Sequence, residues 1–466
     1  MAWRGASLGD VVAGATVAAT SLPQYIAYAE LAGLSGIHGL QASGPPLVAF
    51  SFITTSPSLS IGVTSITAIM AHAALQGGDF KAANGDESWK DLLGAFSVLI
   101  GVVSIAMSLC GATRLVRYIP AAVKTGWKLG FAMTVVASQM AGALFQAGAK
   151  YPASNCSLPV LTLPGPTGSF DWKLAGGAAA VYRLGWMLSQ PWLWDADTVL
   201  LSVLALVIVM YGRPYIAQAL RAVTFRKVQE PVAGFEVIIA TLLGTLLAMA
   251  AQYQGSVVGK VPSKNDGGSF TDMAVNLAGG WVRQMPWEMP WAALMERLGG
   301  VIPALLSAAA FASVDFLGIV SVADNVPLGR ELFGQGIGCL VSGVAGSAPV
   351  GGSLSRSLVA KMTGASSPVA GFVAGLATMA LAAPALAGLL APTPKAILAA
   401  VVLAAVLPSV VYPKDMMAFK GRSAIVGWST TACTVLADPT KGFVAGLIVH
   451  ILLHPSSLKL WSSKSA

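Results

Sequence analysis

The reading turns on Ser347-Ala-Pro-Val-Gly-Gly-Ser-Leu-Ser-Arg-Ser-Leu-Val359. This stretch lies inside a long apolar region, yet it carries Pro349, two glycines, Ser353, Ser355, Ser357 and a full positive charge on Arg356. In hydrocarbon every backbone N–H and C=O needs a partner. A broken, glycine-rich segment at membrane depth therefore survives only where protein or a water-filled cavity surrounds it. The physical reading is a half-helix that starts at mid-membrane near Gly352. Its first N–H groups are free, its dipole is positive at that end, and hydroxyls and a guanidinium stand in its first turn. That is a candidate anion site.

Composition sets the frame around it. Hydrophobic residues are 55% of the chain and charged residues 10%, and the mean hydropathy is +0.71. Several apolar runs reach the roughly 20 residues a spanning helix needs, so the expectation is an all-α polytopic membrane protein. About fourteen such spans would use more than half of the 466 residues, which leaves no room for a separate soluble domain. The 51 glycines suit close helix packing in a bilayer. The formal charge of +8 reads as loop charge, because the basic residues form no single stripe for nucleic acid. No CxxC pair suggests metal binding by cysteine, and no cleavable signal peptide is visible.

Working outward, a second break resembles the first. Ser56-Pro-Ser-Leu-Ser-Ile-Gly-Val-Thr-Ser-Ile-Thr67 leads into a short helical stretch that ends near Leu75. The first apolar run, Asp10–Ala32, carries Gln24 at its centre and reads as interrupted by Ser21-Leu-Pro-Gln-Tyr25. The run Val301–Val322 carries Asp315 at its centre. Gln24 precedes Ser65 by 41 residues (65 − 24), and Asp315 precedes Arg356 by 41 (356 − 315). Interrupted apolar segments at corresponding positions of two halves point to a transporter site. With an odd number of spans per half, the halves would be inverted, and two half-helix N-termini would face a common centre.

The loops follow the positive-inside pattern. Arg114/Arg117/Lys124, Arg213/Arg221/Arg226/Lys227 and Lys414/Lys420/Arg422 would share the cytoplasmic side with both termini. The hydrophilic stretch Asp79–Asp91 reads as a loop on the other side, as do 146–191 and 252–297. Asn155-Cys-Ser157 is an N-glycosylation triplet, meaningful only in a secretory setting. No GxSxG, Walker A or HExxH motif supports catalysis, and no nucleotide domain supports a pump.

Four stretches resemble the SulP (sulfate permease, solute carrier 26) family. Asp10-Val-Val-Ala-Gly with Ser21-Leu-Pro-Gln-Tyr-Ile-Ala-Tyr-Ala-Glu-Leu-Ala-Gly33 is similar to the family's first helix. Ser56-Pro-Ser-Leu-Ser-Ile-Gly62 is similar to the lead into its third helix. Gly334-Gln-Gly-Ile-Gly338 with Gly352-Ser-Leu-Ser-Arg-Ser357 is similar to the approach to its tenth. The resemblance implies about fourteen helices in two inverted seven-helix repeats, about 8–252 and 299–455, forming one transporter unit with core and gate domains. It implies an anion held between helices three and ten, elevator-type alternating access, and a homodimer.

By that resemblance Gln24 and Tyr28 match first-helix site positions, and Thr64 and Ser65 begin the third helix. Ser353, Leu354, Ser355 and Arg356 match the anion site at the start of the tenth. Three departures stand out. Val63 follows Gly62 where proline is usual. Asp315 stands where most members have glutamate, which is closer to the sodium-dependent bicarbonate branch. The chain stops at Ala466 without the STAS domain.

Each polar residue has a plainer reading beside the sharp one. Arg356 at mid-membrane costs about 2.5–3.5 kcal/mol on insertion scales, which favours a functional role over a structural pair. Asp315 has three readings that the sequence leaves open: sodium ligand, proton carrier, or ion-pair partner of Arg356. Gln24 and Tyr28 serve equally as interhelical glue, and some of the hydroxyls as packing. The expectation is a secondary transporter of small inorganic anions, sulfate or bicarbonate, coupled to Na⁺ or H⁺ and needing no other cofactor. It is placed in a plasma or inner membrane. The competitors are a nucleobase or organic-acid permease of the related fold and an anion channel or exchanger.

Overall fold

The two sequence breaks become two short strands, and these strands pair with each other. β1 (Ile61–Gly62) and β4 (Gly351–Gly352) run antiparallel, with Ile61 opposite Gly352 and Gly62 opposite Gly351. The computed structural model describes residues 6–111, 113, 119–145, 160–165, 168–173, 176–212, 214–215, 235–255, 257, 282–320, 326–381, 392–437 and 439–454. Within these, side chains are not described at 37, 41, 160–165, 168–173, 176–181, 235, 314, 315, 317–320, 354, 355, 358, 439 and 440.

The rest of the architecture is helical. In chain order come α1 (Leu8–Leu31), α2 (Ile37–Gln41), α3 (Gly44–Ser51), β1, α4 (Ser65–Ala74), α5 (Gly77–Leu109) and α6 (Ala121–Leu144). A hairpin of β2 (Val160–Gly165) and β3 (Gly168–Lys173) follows, then α7 (Gly176–Ser189), α8 (Ala196–Tyr211) and α9 (Phe235–Ala250). After α10 (Trp291–Arg297) come α11 (Val301–Val320), α12 (Leu328–Val344), β4, α13 (Leu354–Met362) and α14 (Val369–Leu381). The chain closes with α15 (Lys395–Val411), α16 (Lys414–Met417), α17 (Gly421–Leu436) and α18 (Pro439–Leu453).

Two compact units divide the chain: residues 1–117 with 203–401, and residues 118–202 with 402–466. In the first unit α1 packs on α13 and α14, and α11 packs on α4 and α5. Likewise α3 packs on α14, and α12 on α5. The α5–α12 contact is backbone against backbone. A Cβ on Gly94 would lie 2.7 Å from the Gly343 carbonyl oxygen, and one on Gly101 would lie 2.7 Å from that of Gly336. Gly94 meets Gly343 and Gly101 meets Gly336, so the helices run antiparallel, and only hydrogen at these four positions allows the approach.

In the second unit α6 and α17 meet the same way. A Cβ on Gly126 would lie 2.2 Å from the Gly427 carbonyl oxygen. Thr431 ties that contact, donating from Oγ1 to the Gly126 carbonyl at 2.9 Å. Helix α18 packs on α17, with Gly446 against Thr430.

α4 has ten residues and α13 nine. At 1.5 Å per residue they reach roughly 15 Å, half of a hydrocarbon core of about 30 Å. Among the described residues, two helical stretches are long and apolar enough to span a membrane alone, Gly77–Leu109 and Lys395–Met417. A third, Trp291–Arg297 with Val301–Ser313, qualifies only as a pair bent by 83°. Shorter apolar helices among the described residues include Ser65–Ala74, Ala196–Tyr211, Glu236–Ala250, Val369–Leu381 and Lys441–Leu453.

Two expectations change. The helix α1 runs unbroken through Pro23. A proline removes one backbone bond, which a membrane helix tolerates when neighbours and hydroxyls satisfy the freed groups. Asp79–Asp91 is helical rather than a loop, with its irregularity confined to Gly85 at φ +84°. The Lys90–Glu87 pair at 2.6 Å and the Lys81–Asp86 pair at 3.3 Å brace it. Polarity places that stretch outside hydrocarbon but does not forbid a helix. His38 lies in α2 and hydrogen-bonds Ser35. The triplet at Asn155 and the basic groups at 114–117 and 213–227 lie outside the described residues.

Candidate functional site

Both half-helices begin with a hydroxyl cap just after the strand pair, Ser353 directly after β4 and Thr64 one residue beyond β1. Thr64 caps α4, accepting from the Thr67 N–H at 3.1 Å, while the Thr67 hydroxyl accepts from the Thr64 N–H at 3.0 Å. Ser353 caps α13 and accepts from the Arg356 N–H at 3.5 Å. The helix therefore begins at Leu354, two residues beyond Gly352, because Gly351 and Gly352 are engaged in β4. A cap of this kind satisfies one N–H, and the others of the first turn remain without intrahelical partners.

Three bonds stitch the two starts together. The Ser353 N–H donates to the Ser60 carbonyl at 3.0 Å. The Ser60 N–H donates to the Ser357 hydroxyl at 3.0 Å. The Arg356 Nη1 donates to the Val63 carbonyl at 3.1 Å, while the Val63 N–H donates to the Ser43 hydroxyl at 3.2 Å. Gly62 makes room for this: a Cβ there would lie 3.0 Å from the Ser43 Oγ and 3.2 Å from the Arg356 Nη2.

The lead-ins are pinned by different means. Ahead of β1, the buried Glu331 of α12 accepts from the Thr54 hydroxyl at 2.6 Å, the Thr55 N–H at 2.9 Å and the Thr55 hydroxyl at 3.0 Å. Ahead of β4, the Ser342 hydroxyl donates to the Ala348 carbonyl at 2.6 Å, Ser97 to the Ser347 carbonyl at 2.7 Å, and Ser347 to the His38 carbonyl at 2.8 Å.

Arg356 is the centre of charge. It is 1% exposed, and among the described residues no carboxylate pairs with it. Its Cζ lies 4.8 Å from the centroid of the Tyr25 ring, a contact worth about 0.5–2 kcal/mol. Among the described residues, its Nε and Nη2 are buried without hydrogen-bond partners, as are the Gln24 Oε1 and the Tyr25 hydroxyl. Arg356 also stands in the first turn of α13 and bonds the residue before the α4 cap. Helix N-termini carry partial positive charge and disfavour a cation, so two of them beside a buried guanidinium make a strongly positive locus that no described side chain neutralises.

Of the residues singled out from sequence, Tyr28, Thr64, Ser65, Ser353 and Arg356 gather around this locus. Tyr28 lies beside Ser65 and Arg356. Gln24 is one turn before Tyr28 on α1. Asp315 lies on α11, and its side chain, like those of Leu354 and Ser355, lies outside the described set. Sequence reasoning passed over Tyr25, Ser43, Ser60 and Glu331. Tyr25 stood next to Gln24 in plain view, whereas nothing local marks Ser43 or Ser60. Glu30 is accounted for at the α1 terminus, where it pairs with Lys395 at 3.0 Å.

The model of the sulfate permease family matches residues 8–157 and 172–423, which include both strands and both half-helices. The chain belongs to this family. Human solute carrier family 26 member 6 is 26% identical over 96% of the chain and 54% of its own length. A probable sulfate transporter of Mycobacterium tuberculosis is 38% identical over 28% of the chain and 23% of its own length. The chain spans about half the length of the human relative.

The fold is similar to the transmembrane domain of the cyanobacterial bicarbonate transporter BicA. The TM-score is 0.69 at 18% identity, over 93% of this chain and 96% of that one. It is also similar to the murine solute carrier 26 family member A9 anion transporter in the inward-facing state. There the TM-score is 0.72 at 15% identity, over 97% of this chain and 68% of that one. As a sulfate permease family member the chain is an integral membrane protein, and its matched relatives are transporters rather than enzymes.

Proposed function

We propose that this sulfate permease family member is a secondary transporter of small inorganic anions, with sulfate and hydrogen carbonate as the leading substrates. One observation carries the reading: a buried guanidinium set between two half-helix N-termini, with two nitrogens that no described residue partners and no described carboxylate paired to it. An anion is the group that relieves this arrangement. Gln24, Tyr28, Thr64, Ser65, Ser353, Leu354, Ser355 and Arg356 are its proposed surroundings. Arg356 supplies charge, and the hydroxyls and first-turn N–H groups supply donors. A nucleobase site would place acceptors where this one places a cation.

Two inverted repeats are part of the proposal. The offset that carries Gln24 onto Asp315 and Ser65 onto Arg356 also carries Ile61 onto Gly352, its partner across the strand pair. Residues that are both equivalent and directly opposed in an antiparallel pair lie on a two-fold axis. The contacts of α1 with α13 and α14 are matched by those of α11 with α4 and α5. These observations support fourteen helices in two repeats within one transporter domain and a moving core that carries the site. Asp315 is the proposed coupling group for Na⁺ or H⁺, equivalent to Gln24 in the other repeat. A homodimer and cytoplasmic termini complete the proposal.

The test is uptake of labelled sulfate and labelled hydrogen carbonate into proteoliposomes, with and without Na⁺ and H⁺ gradients, for the wild type and Asp315→Asn. The expected result is saturable uptake of one anion, driven by one gradient, with the gradient dependence lost in the variant. Uptake of neither anion under any gradient contradicts the proposal.

A further inference from the structure

The three groups of nitrogen-bound hydrogens on Arg356 are not equivalent. Nη1 is engaged by the Val63 carbonyl, and one face of the guanidinium lies against the Tyr25 ring. What remains is Nε and Nη2, both buried and without partners among the described residues. These two nitrogens lie on the same edge of the guanidinium, and their N–H bonds are parallel. Such an edge matches two oxygens of one anion in a fork.

We propose that Tyr25 is a positioning residue that fixes this edge toward the anion and so makes the site select oxyanions over halides. The inference rests on the reading of Arg356 as the anion site. Hydrogen carbonate and sulfate each present two oxygens to the fork, one per N–H. A chloride ion offers a single sphere and cannot accept along both parallel N–H directions at once. The selectivity depends on where the plane of the guanidinium points, and a long arginine side chain does not fix that plane by itself.

Tyr25 is built to fix it. The residue is fully buried, and its backbone is held by the close approach of α2: a Cβ on Gly39 would lie 1.9 Å from the Tyr25 carbonyl oxygen. The ring covers a face of the guanidinium at 4.8 Å. Gly62, without a side chain, lets the β1 backbone lie beside Nη2. The Val63 carbonyl fixes the third corner through Nη1. Aromatic face, glycine backbone and carbonyl leave one orientation for the fork. A tyrosine that merely packed the core would not need to lie on the arginine.

The experiment compares sulfate and hydrogen carbonate uptake with chloride uptake in proteoliposomes of the full chain, for the wild type, Tyr25→Phe and Tyr25→Leu. The readout is the oxyanion-to-chloride ratio, which a general loss of folded protein does not move. Tyr25→Phe keeps the ring and is expected to hold the ratio within about twofold, whereas Tyr25→Leu frees the guanidinium and lowers it about tenfold. Should Tyr25→Leu fail to give monodisperse protein, Tyr25→Met makes the same cut with a more adaptable side chain. An unchanged ratio in Tyr25→Leu or Tyr25→Met, with transport still present, overturns the role of Tyr25 and leaves the anion site standing. An equal fall in Tyr25→Phe overturns the role of the ring. If the wild type moves no anion, the function and this role fall together.

Discussion

The half-helix α4 and the half-helix α13 share a backbone and differ in what they carry. Each follows a two-residue strand, begins at a hydroxyl cap and runs for nine or ten residues. At α4 the start is closed by a reciprocal Thr64–Thr67 pair and holds no charge. At α13 the cap is Ser353; Arg356 is the third residue after it, where α4 has Thr67, and the offset between the halves (356 − 65 = 291) sets Arg356 against the neutral Ser65. Ser357 reaches across to the Ser60 N–H, whereas the same offset places Ile66 on α4, which has no such reach. One repeat thus supplies a neutral, self-sufficient helix end. The other supplies the charge and the hydroxyl that joins the two ends. In the proposed two-fold arrangement, this asymmetry is what would make the centre an anion site and not merely a crossing.

The comparison breaks most completely at Arg356. Arg356→Ala makes the α13 end as neutral as the α4 end. Two charge-assisted bonds at about 1.5–3 kcal/mol each imply a loss of about a hundredfold or more in anion affinity. Arg356→Lys keeps the charge without the fork and should recover part of it, as the concentration dependence of uptake would show. Full activity in both variants would move the site elsewhere.

Ser357→Ala is the next cut. It leaves the buried Ser60 N–H without its acceptor, at a cost of about 1–3 kcal/mol, read as a lower thermal unfolding midpoint in detergent. The equivalent change on the other side, Ile66→Ala, removes apolar volume but no cross-link. Its effect on anion affinity should be the smaller of the two. Equal effects would mean that the stitch between the helix ends does not tune the site.

The smallest effect is expected at Thr64. Thr64→Ala removes the cap of α4 and should lower stability by about 1 kcal/mol, with Thr67 still available to the Thr64 N–H. Because the α4 end carries no charge, anion affinity should fall by less than in Ser357→Ala. A larger loss would make Thr64 a principal donor to the anion rather than chiefly the cap of α4.

Much of this was legible in the sequence because two kinds of signal survive there. Glycine, serine and proline inside apolar runs mark backbone that a bilayer cannot solvate, and Ser56–Thr67 and Ser347–Val359 became the two strand-to-helix breaks. A charge such as Arg356 stands out in the same setting. What escaped was non-local. Ile61-Gly62 and Gly351-Gly352 are too short for any period, so their pairing cannot be read from either strand alone. Ser43, Ser60 and Glu331 matter through partners far away in the chain. Pro23 misled because proline marks a break in a water-soluble helix more reliably than in a buried one.

The most direct measurement is sulfate-dependent thermal stabilisation of the purified chain, wild type beside Arg356→Gln. A ligand that binds the folded state raises its unfolding midpoint in proportion to the logarithm of concentration above Kd. The account predicts such a rise for the wild type and none for the variant. An equal rise in both would contradict the assignment of the buried guanidinium as the anion site.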